Sequence, residues 1–90
     1  METVRIRVEG RVQGVFFRQS TVERAQQLGL DGTVRNCEDG SVEIIATGHH
    51  DAIEELIRWC WHGPPKSKVT AVSSEQLSLQ QFNNFSILRN

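Results

Sequence analysis

The sequence has no long apolar run. Its uninterrupted apolar stretches are only a few residues long, whereas a helix that crosses a bilayer needs roughly 20 apolar residues. The N-terminal residues also contain no apolar signal segment. From these absences we expect a cytoplasmic protein that neither binds nor crosses a membrane.

Cysteine is scarce, and the two that occur, Cys37 and Cys60, are far apart in the sequence. Neither belongs to a closely spaced pair of the kind that a zinc site or a redox dithiol uses. In a reducing compartment we expect both to be structural thiols. A single disulfide between them stays open at this point, because the sequence does not give the distance on which a bridge depends.

An excess of charge of one sign is missing as well. Charged residues make up 23% of the chain, both signs are interspersed, and the formal net charge is -1. Such a chain offers no strong overall field to nucleic acid, so we expect no nucleic-acid partner. Any anion that the protein recognises must therefore be bound by a local arrangement of residues.

The length of 90 residues suits one domain and is far too short for two independent cores. Hydrophobic residues make up 38% of the chain, which suffices for one packed core. We therefore expect residues 1–90 to form a single domain that carries the whole function, and we expect a monomer.

Several segments alternate apolar and polar residues with the period of a half-buried strand. The dipeptide Asp39-Gly40 separates two such segments and is typical of a hairpin turn. The predicted strands are Thr3–Glu9, Gly32–Cys37, Ser41–Thr47, Val69–Ser73 and a short one at Phe85–Leu88.

Helical spacing of apolar residues predicts a first helix from Phe17 to Leu28, with Gly29 in the position of a C-terminal cap. The start of this helix stays open, because Ser20 and Glu23 have the spacing of a capping box that would begin it a few residues later.

A second helix is predicted between a cap at Asp51 and a stop at Gly63-Pro64-Pro65. Two tryptophans of this helix are expected on different faces, with Trp61 in the core and Trp59 partly exposed or at an interface. The apolar stripe of the helix consists of Ile53, Leu56, Ile57, Cys60 and Trp61.

The predicted order is strand, helix, strand, strand, helix and strand, followed by a short strand. This is the split βαβ, ferredoxin-like arrangement of an α+β fold, for which we expect an antiparallel sheet with two helices on one face. The polar stretch from Ser73 to Asn84 is predicted to be a solvated loop. Because this fold carries enzymes, metal carriers, RNA-binding domains and regulatory domains, the function has to be sought in particular residues.

The loop from Gly10 to Arg18 joins a strand to the N-terminus of a helix. Backbone N–H groups converge at such a junction with the positive end of the helix dipole, which makes it a natural cradle for an anion. Gly14 gives this loop backbone conformations that other residues avoid, and Arg18 can supply a bidentate guanidinium for phosphate oxygens. An ordinary tight turn with a surface arginine is the alternative that spacing alone leaves open.

Two motifs in register resemble those of the acylphosphatase family. The first runs without a gap from Gly10 through Arg18, as Gly-Arg-Val-Gln-Gly-Val, one variable position, an aromatic residue and arginine. The second is the run from Gly32 to Asn36, followed at the expected spacings by Gly40-Ser41-Val42 and Gly48. The resemblance covers nearly the whole chain. Thr33 stands where an aromatic residue is frequent in the family, and the chain continues through Leu88, Arg89 and Asn90 where many members stop.

This resemblance implies an enzyme that hydrolyses the carboxyl-phosphate anhydride of small acyl phosphates, without a metal or another cofactor. Arg18 and Asn36 would be its catalytic residues, with the Asn36 side chain orienting the attacking water. The expected phosphate-binding residues are Gln13, Gly14, Val15, Phe16, Phe17 and Arg18. Asn36 has the same alternation phase as Val34, so we expect both side chains on one face of the sheet.

Hydrolysis of an acyl phosphate needs neither a general acid nor a metal ion, and the histidines and acidic residues of the sequence are not placed to supply one. A carboxylate is a good leaving group that needs little protonation, and the histidines His49, His50 and His62 all lie away from both motifs. Acidic residues near the hairpin turn lack the spacing of a calcium loop, so no metal site is predicted.

Two other functions occur on this fold and are compared with the sequence. An RNA-binding module of this fold would stack bases on aromatic residues of its central strands, and the first and third predicted strands contain none. An acylphosphatase-like domain that binds an anion or a partner without turnover is the remaining alternative, and the presence of both Arg18 and Asn36 argues against it.

Overall fold

The computed structural model describes residues 1–89, which form two helices and a five-stranded sheet. The elements are β1 (Glu2–Arg11), α1 (Phe17–Gln27), β2 (Asp31–Asn36), β3 (Val42–Gly48), α2 (His50–His62), β4 (Lys68–Leu77) and β5 (Phe85–Ile87). The predicted α+β, ferredoxin-like order of elements is confirmed.

The strand order in the sheet is β4-β1-β3-β2-β5. The first four strands are antiparallel to their neighbours, as predicted, but β5 runs parallel to β2, so the sheet is mixed. The reason is the connection after β4. It starts at one edge of the sheet and ends at the other, so the returning strand β5 runs opposite to β4 and therefore in the same direction as β2.

The connection between β4 and β5 crosses the sheet on the face opposite the helices. Its residue Gln80 accepts a hydrogen bond of 2.8 Å from the Thr47 hydroxyl through its backbone carbonyl, and its backbone N–H donates one of 2.9 Å to Thr3 Oγ1. Thr3 and Thr47 are themselves buried and bonded to each other at 2.7 Å. Hydrogen bonds to buried threonines thus hold part of a polar segment that the sequence predicted to be solvated.

The core lies between the sheet and the two helices. In β1 the apolar residues Val4, Ile6 and Val8 are buried, while the charged residues between them are half-buried or exposed. The helices contribute Phe17, Ile53, Leu56 and Cys60, each at most 1% exposed. Full burial of one such aliphatic or aromatic side chain contributes roughly 1.5–3 kcal/mol, so this layer is the main source of stability.

Two strands are longer than the sequence predicted. β1 continues through Gly10 to Arg11, because Gly10 adopts φ +122° at a register shift that lets the strand keep pairing with β4. A side chain at Gly10 would meet the Lys68 carbonyl oxygen at 2.1 Å, so only glycine fits there. β4 continues to Leu77, which pairs with Thr3, although residues 73–76 are polar and exposed.

Of the two tryptophans of α2, Trp61 differs from the prediction, whereas Trp59 is partly exposed as predicted. Trp61 is 51% exposed, whereas Trp59 is half-buried and its ring lies 5.4 Å from that of Phe17. Both flank the buried stripe that contains Leu56 and Cys60, but on different sides. The side of Trp59 faces α1, which supplies an aromatic partner, and the side of Trp61 faces solvent.

The predicted cap of α2 is also wrong by two residues. The helix begins at His50, with His49 as its N-cap in an extended conformation, and no side-chain cap hydrogen bond is present there. Asp51 lies in the first turn, where its carboxylate faces the positive end of the helix dipole. Within residues 1–89, no helix is both long enough and apolar enough to cross a membrane.

Candidate active site

The junction between β1 and α1 turns through two left-handed residues. Gly14 has φ +72° and Phe16, the N-cap of α1, has φ +65°. A Cβ added at Gly14 would meet nothing within 4 Å, so the requirement for glycine there comes from backbone conformation and not from crowding. Left-handed conformations of this kind concentrate at functional sites, where the surrounding structure holds them in place.

Side chains alternate inward and outward along this loop. Val12 is 1% exposed, Val15 is 8% exposed and Phe17 is 1% exposed, so these three anchor the loop in the core. Phe16 points outward and is 78% exposed. The anchored residues hold the intervening backbone at the surface, at the end of the sheet.

The helix α1 begins at Phe17, so the later start suggested by Ser20 is wrong. The hydroxyl of Thr21, which is fully buried, donates to the Phe17 carbonyl at 2.8 Å and so has a hydrogen-bond partner inside the helix. No side chain of the described residues caps this helix. Its first backbone N–H groups therefore remain available to an acceptor from outside the helix, with the favourable dipole direction for an anion.

The side chain of Gln13 binds the β2–β3 hairpin. Its amide nitrogen donates to the carbonyls of Cys37 and Ser41, each at 2.8 Å. The sequence predicted Gln13 only as a backbone contact to phosphate, and this side-chain role was missed. An amide between hydrophobic and glycine residues was the available signal, because a polar group that is partly buried needs partners.

The hairpin is further ordered by Asp39. Its carboxylate accepts hydrogen bonds from the Ser41 hydroxyl at 2.6 Å and from the Ser41 backbone at 3.0 Å, and it also pairs with Arg7. These contacts with Ser41, followed by the Arg7 interaction, lower the pKa of Asp39 to about 2. At neutral pH the carboxylate of Asp39 is therefore ionised and accepts these hydrogen bonds in the turn that follows Asn36.

Asn36 is the last residue of β2 and lies opposite Val42 of β3. As predicted from the alternation, it shares the helix-covered face of the sheet with Val34, which is fully buried, and is itself half-buried. Arg18 lies in the first turn of α1 and is also half-buried. The structure brings both together as lining residues of one cleft of about 410 Å³.

The predicted phosphate-binding loop also lines the cleft, through Gly14, Phe16 and Phe17 in addition to Arg18. The other two predicted residues, Gln13 and Val15, are not part of the lining, because one reaches the hairpin and the other packs into the core. A smaller cavity of about 320 Å³ is also lined by Arg18 and Asn36, together with Leu88 and Arg89.

Positive charge dominates the cleft. Among the described residues, no aspartate or glutamate lines it, and Arg18 forms no ion pair there. Most other arginines of the chain are paired with carboxylates; these are Arg5, Arg7, Arg24, Arg35 and Arg58. An unneutralised guanidinium beside the open end of a helix is suited to an anion such as a phosphoryl group.

Histidines and cysteines are absent from the described lining of the cleft. His50 instead hydrogen-bonds Glu2 at 3.1 Å, and this contact raises the pKa of the imidazole. Cys37 and Cys60 are both free thiols, so the disulfide left open by the sequence is not formed. Within residues 1–89, no three His, Cys, Asp or Glu side chains are grouped as a metal site requires.

The sequence matches known proteins over nearly its whole length. The model of the acylphosphatase family matches residues 4–87. An acylphosphatase of Rubrobacter xylanophilus is 55% identical over 73 residues, which cover 81% of this chain and 66% of the relative. An acylphosphatase of Methylococcus capsulatus is 41% identical over 90 residues, which cover 99% of this chain and 98% of the relative.

The fold is also similar to that of a solved acylphosphatase structure. The crystal structure of acylphosphatase from Bacillus subtilis superimposes with a TM-score of 0.95 at 41% sequence identity, covering 99% of this chain and 100% of that one. Both motifs on which the resemblance was based lie inside the matched range 4–87.

Proposed function

Because this chain belongs to the acylphosphatase family and is a hydrolase of acyl phosphates, we propose that Arg18 and Asn36 are its catalytic residues. The observation that carries the proposal is their convergence, from a helix and a strand, on one cleft without a carboxylate in its described lining.

The phosphoryl group is bound by the loop before α1. The backbone N–H groups of Gly14, Phe16, Phe17 and Arg18, which line the cleft, donate to its oxygens. The backbone N–H groups of Gln13 and Val15, whose side chains point elsewhere, complete this set, and the Arg18 guanidinium adds a charged, bidentate contact. Charge in phosphoryl transfer spreads over the equatorial oxygens of a loose transition state, so catalysis consists mostly of positioning and electrostatic stabilisation. A guanidinium and a set of N–H groups fixed by buried neighbours supply both.

Asn36 orients the attacking water. A side-chain amide offers both a donor and an acceptor and does not titrate, so it can hold a water molecule in line without removing a proton itself. The water oxygen forms a bond to phosphorus, and the bond between phosphorus and the acyl oxygen breaks. The carboxylate leaves with the electron pair, and the proton of the water passes to a phosphate oxygen or to solvent.

A carboxylate leaves without a general acid, so the enzyme needs no histidine, metal ion or other cofactor at the site. We propose that residues 1–90 act as a single acylphosphatase domain, as a monomer in the cytoplasm and without a nucleic-acid partner. An anion- or partner-binding domain without turnover is the less favoured alternative, since both Arg18 and Asn36 line the cleft.

The test is hydrolysis of benzoyl phosphate by the purified protein in the presence of a chelator. We expect metal-independent turnover that Arg18→Ala reduces by about 100-fold to 1,000-fold, the size of one lost electrostatic contact to the transition state. Arg18→Ala should also weaken inhibition by inorganic phosphate. Asn36→Ala should abolish most turnover while inorganic phosphate still inhibits, because the water and not the phosphoryl group has lost its contact.

Matched controls are available on the same chain. Arg58→Ala removes an exposed arginine of α2, and Asn83→Ala removes an exposed asparagine from the connection before β5. Both variants should keep the wild-type rate. Wild-type turnover in Arg18→Ala or Asn36→Ala would refute the residue assignment, and no turnover in the unchanged protein would favour the binding domain.

A further inference from the structure

The C-terminal segment borders the cleft beside Asn36. β5 pairs in parallel with β2 in the register Val34 with Ile87, and the ladder continues through a 2.8 Å bond from the Leu88 N–H to the Val34 carbonyl. Two residues further along the same register, Arg89 lies beside Asn36. Arg89 accordingly lines both the larger cleft and the smaller cavity.

Arg89 brings a second positive charge to a site that already contains Arg18. Its side chain is exposed, and no ion pair with a carboxylate of residues 1–89 is formed. The two arginines are the charged residues of the described lining. Two unneutralised guanidinium groups in one cleft attract an anion more strongly than one, and they favour a ligand that carries two separate anionic groups.

The cleft has room for more than a phosphoryl group. Its volume of about 410 Å³ lies within the range of small-molecule sites, roughly 300–1,000 Å³. Part of its wall is apolar, through Phe16 and Ile87. A ligand whose phosphoryl group sits in the loop near Arg18 therefore extends its remaining atoms along this wall toward the C-terminal segment.

We propose that Arg89 is a specificity-determining residue that binds a carboxylate on the acyl part of the substrate. The enzyme then favours acyl phosphates of dicarboxylic acids over those with an uncharged acyl group. The planar guanidinium of Arg89 matches a carboxylate in shape and charge, while the apolar wall contacts the carbon atoms between the two anionic groups. This inference rests on the proposed function of Arg18 and its loop.

The experiment compares benzoyl phosphate with 3-carboxybenzoyl phosphate and 4-carboxybenzoyl phosphate, which differ from it by one carboxylate. Their kcat/KM values are measured at low salt for the unchanged protein, Arg89→Gln and Arg58→Gln. We expect the unchanged protein to prefer at least one carboxylated substrate. In Arg89→Gln the KM for that substrate should rise about fivefold more than the KM for benzoyl phosphate, a difference equivalent to one partly exposed ionic contact.

Arg58→Gln is the control for net charge. It removes the same charge from an exposed position on α2, so it should leave the ratio between carboxylated and plain substrates unchanged. An equal loss for all three substrates in Arg89→Gln, with weaker inhibition by inorganic phosphate, would place Arg89 on the phosphoryl group and overturn the inference. An unchanged ratio in Arg89→Gln would overturn it as well.

A binding measurement separates this inference from the proposed function. Calorimetric titration with benzylphosphonate and 4-carboxybenzylphosphonate requires no turnover. If the unchanged protein hydrolyses none of the substrates, the proposed function fails. Arg89 is then still supported if the carboxylated phosphonate binds more tightly than the plain one and loses that advantage in Arg89→Gln, and it is refuted if the two bind alike.

Discussion

The side-chain amide of Gln13 donates a 2.8 Å hydrogen bond to the carbonyl of Cys37, the residue that directly follows Asn36. A second 2.8 Å bond from the same nitrogen reaches the Ser41 carbonyl across the hairpin. One side chain thus connects the loop that leads to Arg18 with the strand end that presents Asn36. We therefore expect Gln13 to be a positioning residue for both, because loss of its two bonds would release the loop from the hairpin.

Replacing Gln13 with leucine keeps the size of the side chain and removes both hydrogen bonds. We expect kcat to fall between about 10-fold and 100-fold, since a displacement of about 1 Å in a positioned site can cost about 100-fold in rate. Inhibition by inorganic phosphate should change much less, because the loop itself still binds the phosphoryl group. Steady-state kinetics with benzoyl phosphate and phosphate inhibition give the two values.

Thr47→Val is the matched control for the Gln13 variant. It removes the bonds of Thr47 to Thr3 and to the Gln80 carbonyl on the opposite face of the sheet. Both variants should lose about 1–3 kcal/mol of unfolding free energy, but Thr47→Val should retain its kcat. If both lose kcat in proportion to stability, Gln13 has only a structural role.

Alanine substitutions at Gly14 and Gly29 distinguish an effect on stability from an effect on activity. Both have φ near +70°, at +72° and +71°, and an added Cβ meets nothing within 4 Å at either position. Alanine at either site should therefore lower the free energy of unfolding by about 1–2 kcal/mol through backbone strain alone. Activity should fall in Gly14→Ala only, because that loop presents N–H groups to the substrate while Gly29 follows α1 at its other end. Urea unfolding and benzoyl phosphate kinetics on both variants check this, and equal activities would show that the loop tolerates the strain.

Local patterns predicted the order of elements, because strand alternation and glycine positions depend on near neighbours in sequence. The convergence of the two motifs on one site was implied only by the resemblance to the acylphosphatase family. What they missed depends on tertiary contacts. Trp61 was predicted in the core but is exposed, since the helical stripe does not tell which of its flanks packs on a partner, as Trp59 does on Phe17.

The length of β4 was underestimated for a related reason. Polar residues on an edge strand look like a loop until their pairing with β1 is known. At the site, the hairpin must be in place before Gln13 meets its partners, and β5 must be in place before Arg89 approaches Asn36. The sequence around Gln13 indicates that its amide needs partners, but no spacing along the chain identifies them.

Substitutions of the adjacent residues Phe16 and Phe17 should have different effects on the free energy of unfolding. Phe16 is 78% exposed and has φ +65°, a conformation that asparagine adopts more readily, so Phe16→Asn should preserve the free energy of unfolding or raise it by up to about 1 kcal/mol. Phe17 is 1% exposed and contacts Trp59, so Phe17→Ala should lower it by about 3–5 kcal/mol. Urea denaturation of both variants measures the difference. A loss of several kcal/mol in Phe16→Asn would mean that its ring packs on the protein in solution.

Burial of Cys60 makes the stability of the fold sensitive to alkaline pH. Loss of hydration raises the pKa of this thiol to about 12, above the ordinary value of about 9 that it regains on unfolding. A raised pKa in the folded state means that the full stability is present below pH 9 and is lost progressively as the pH rises toward 12. In this range the free energy of unfolding can fall by about 1.4 kcal/mol per pH unit, the value for release of one proton. The chain has no tyrosine and few lysines, so few other groups titrate in this range.

Urea unfolding between pH 8 and 10.5 checks this prediction. The wild-type protein should lose stability steadily above pH 9, and Cys60→Ala, although less stable at pH 8 because of the space it leaves, should show a shallower decline. Thiol titration gives a second readout. In the folded protein at pH 8, Cys37, which is half-buried, should react with a disulfide reagent before the fully buried Cys60, and both should react at once in denaturant. Parallel alkaline slopes for the two proteins, together with rapid modification of Cys60 in the folded state, would mean that this thiol is accessible to water.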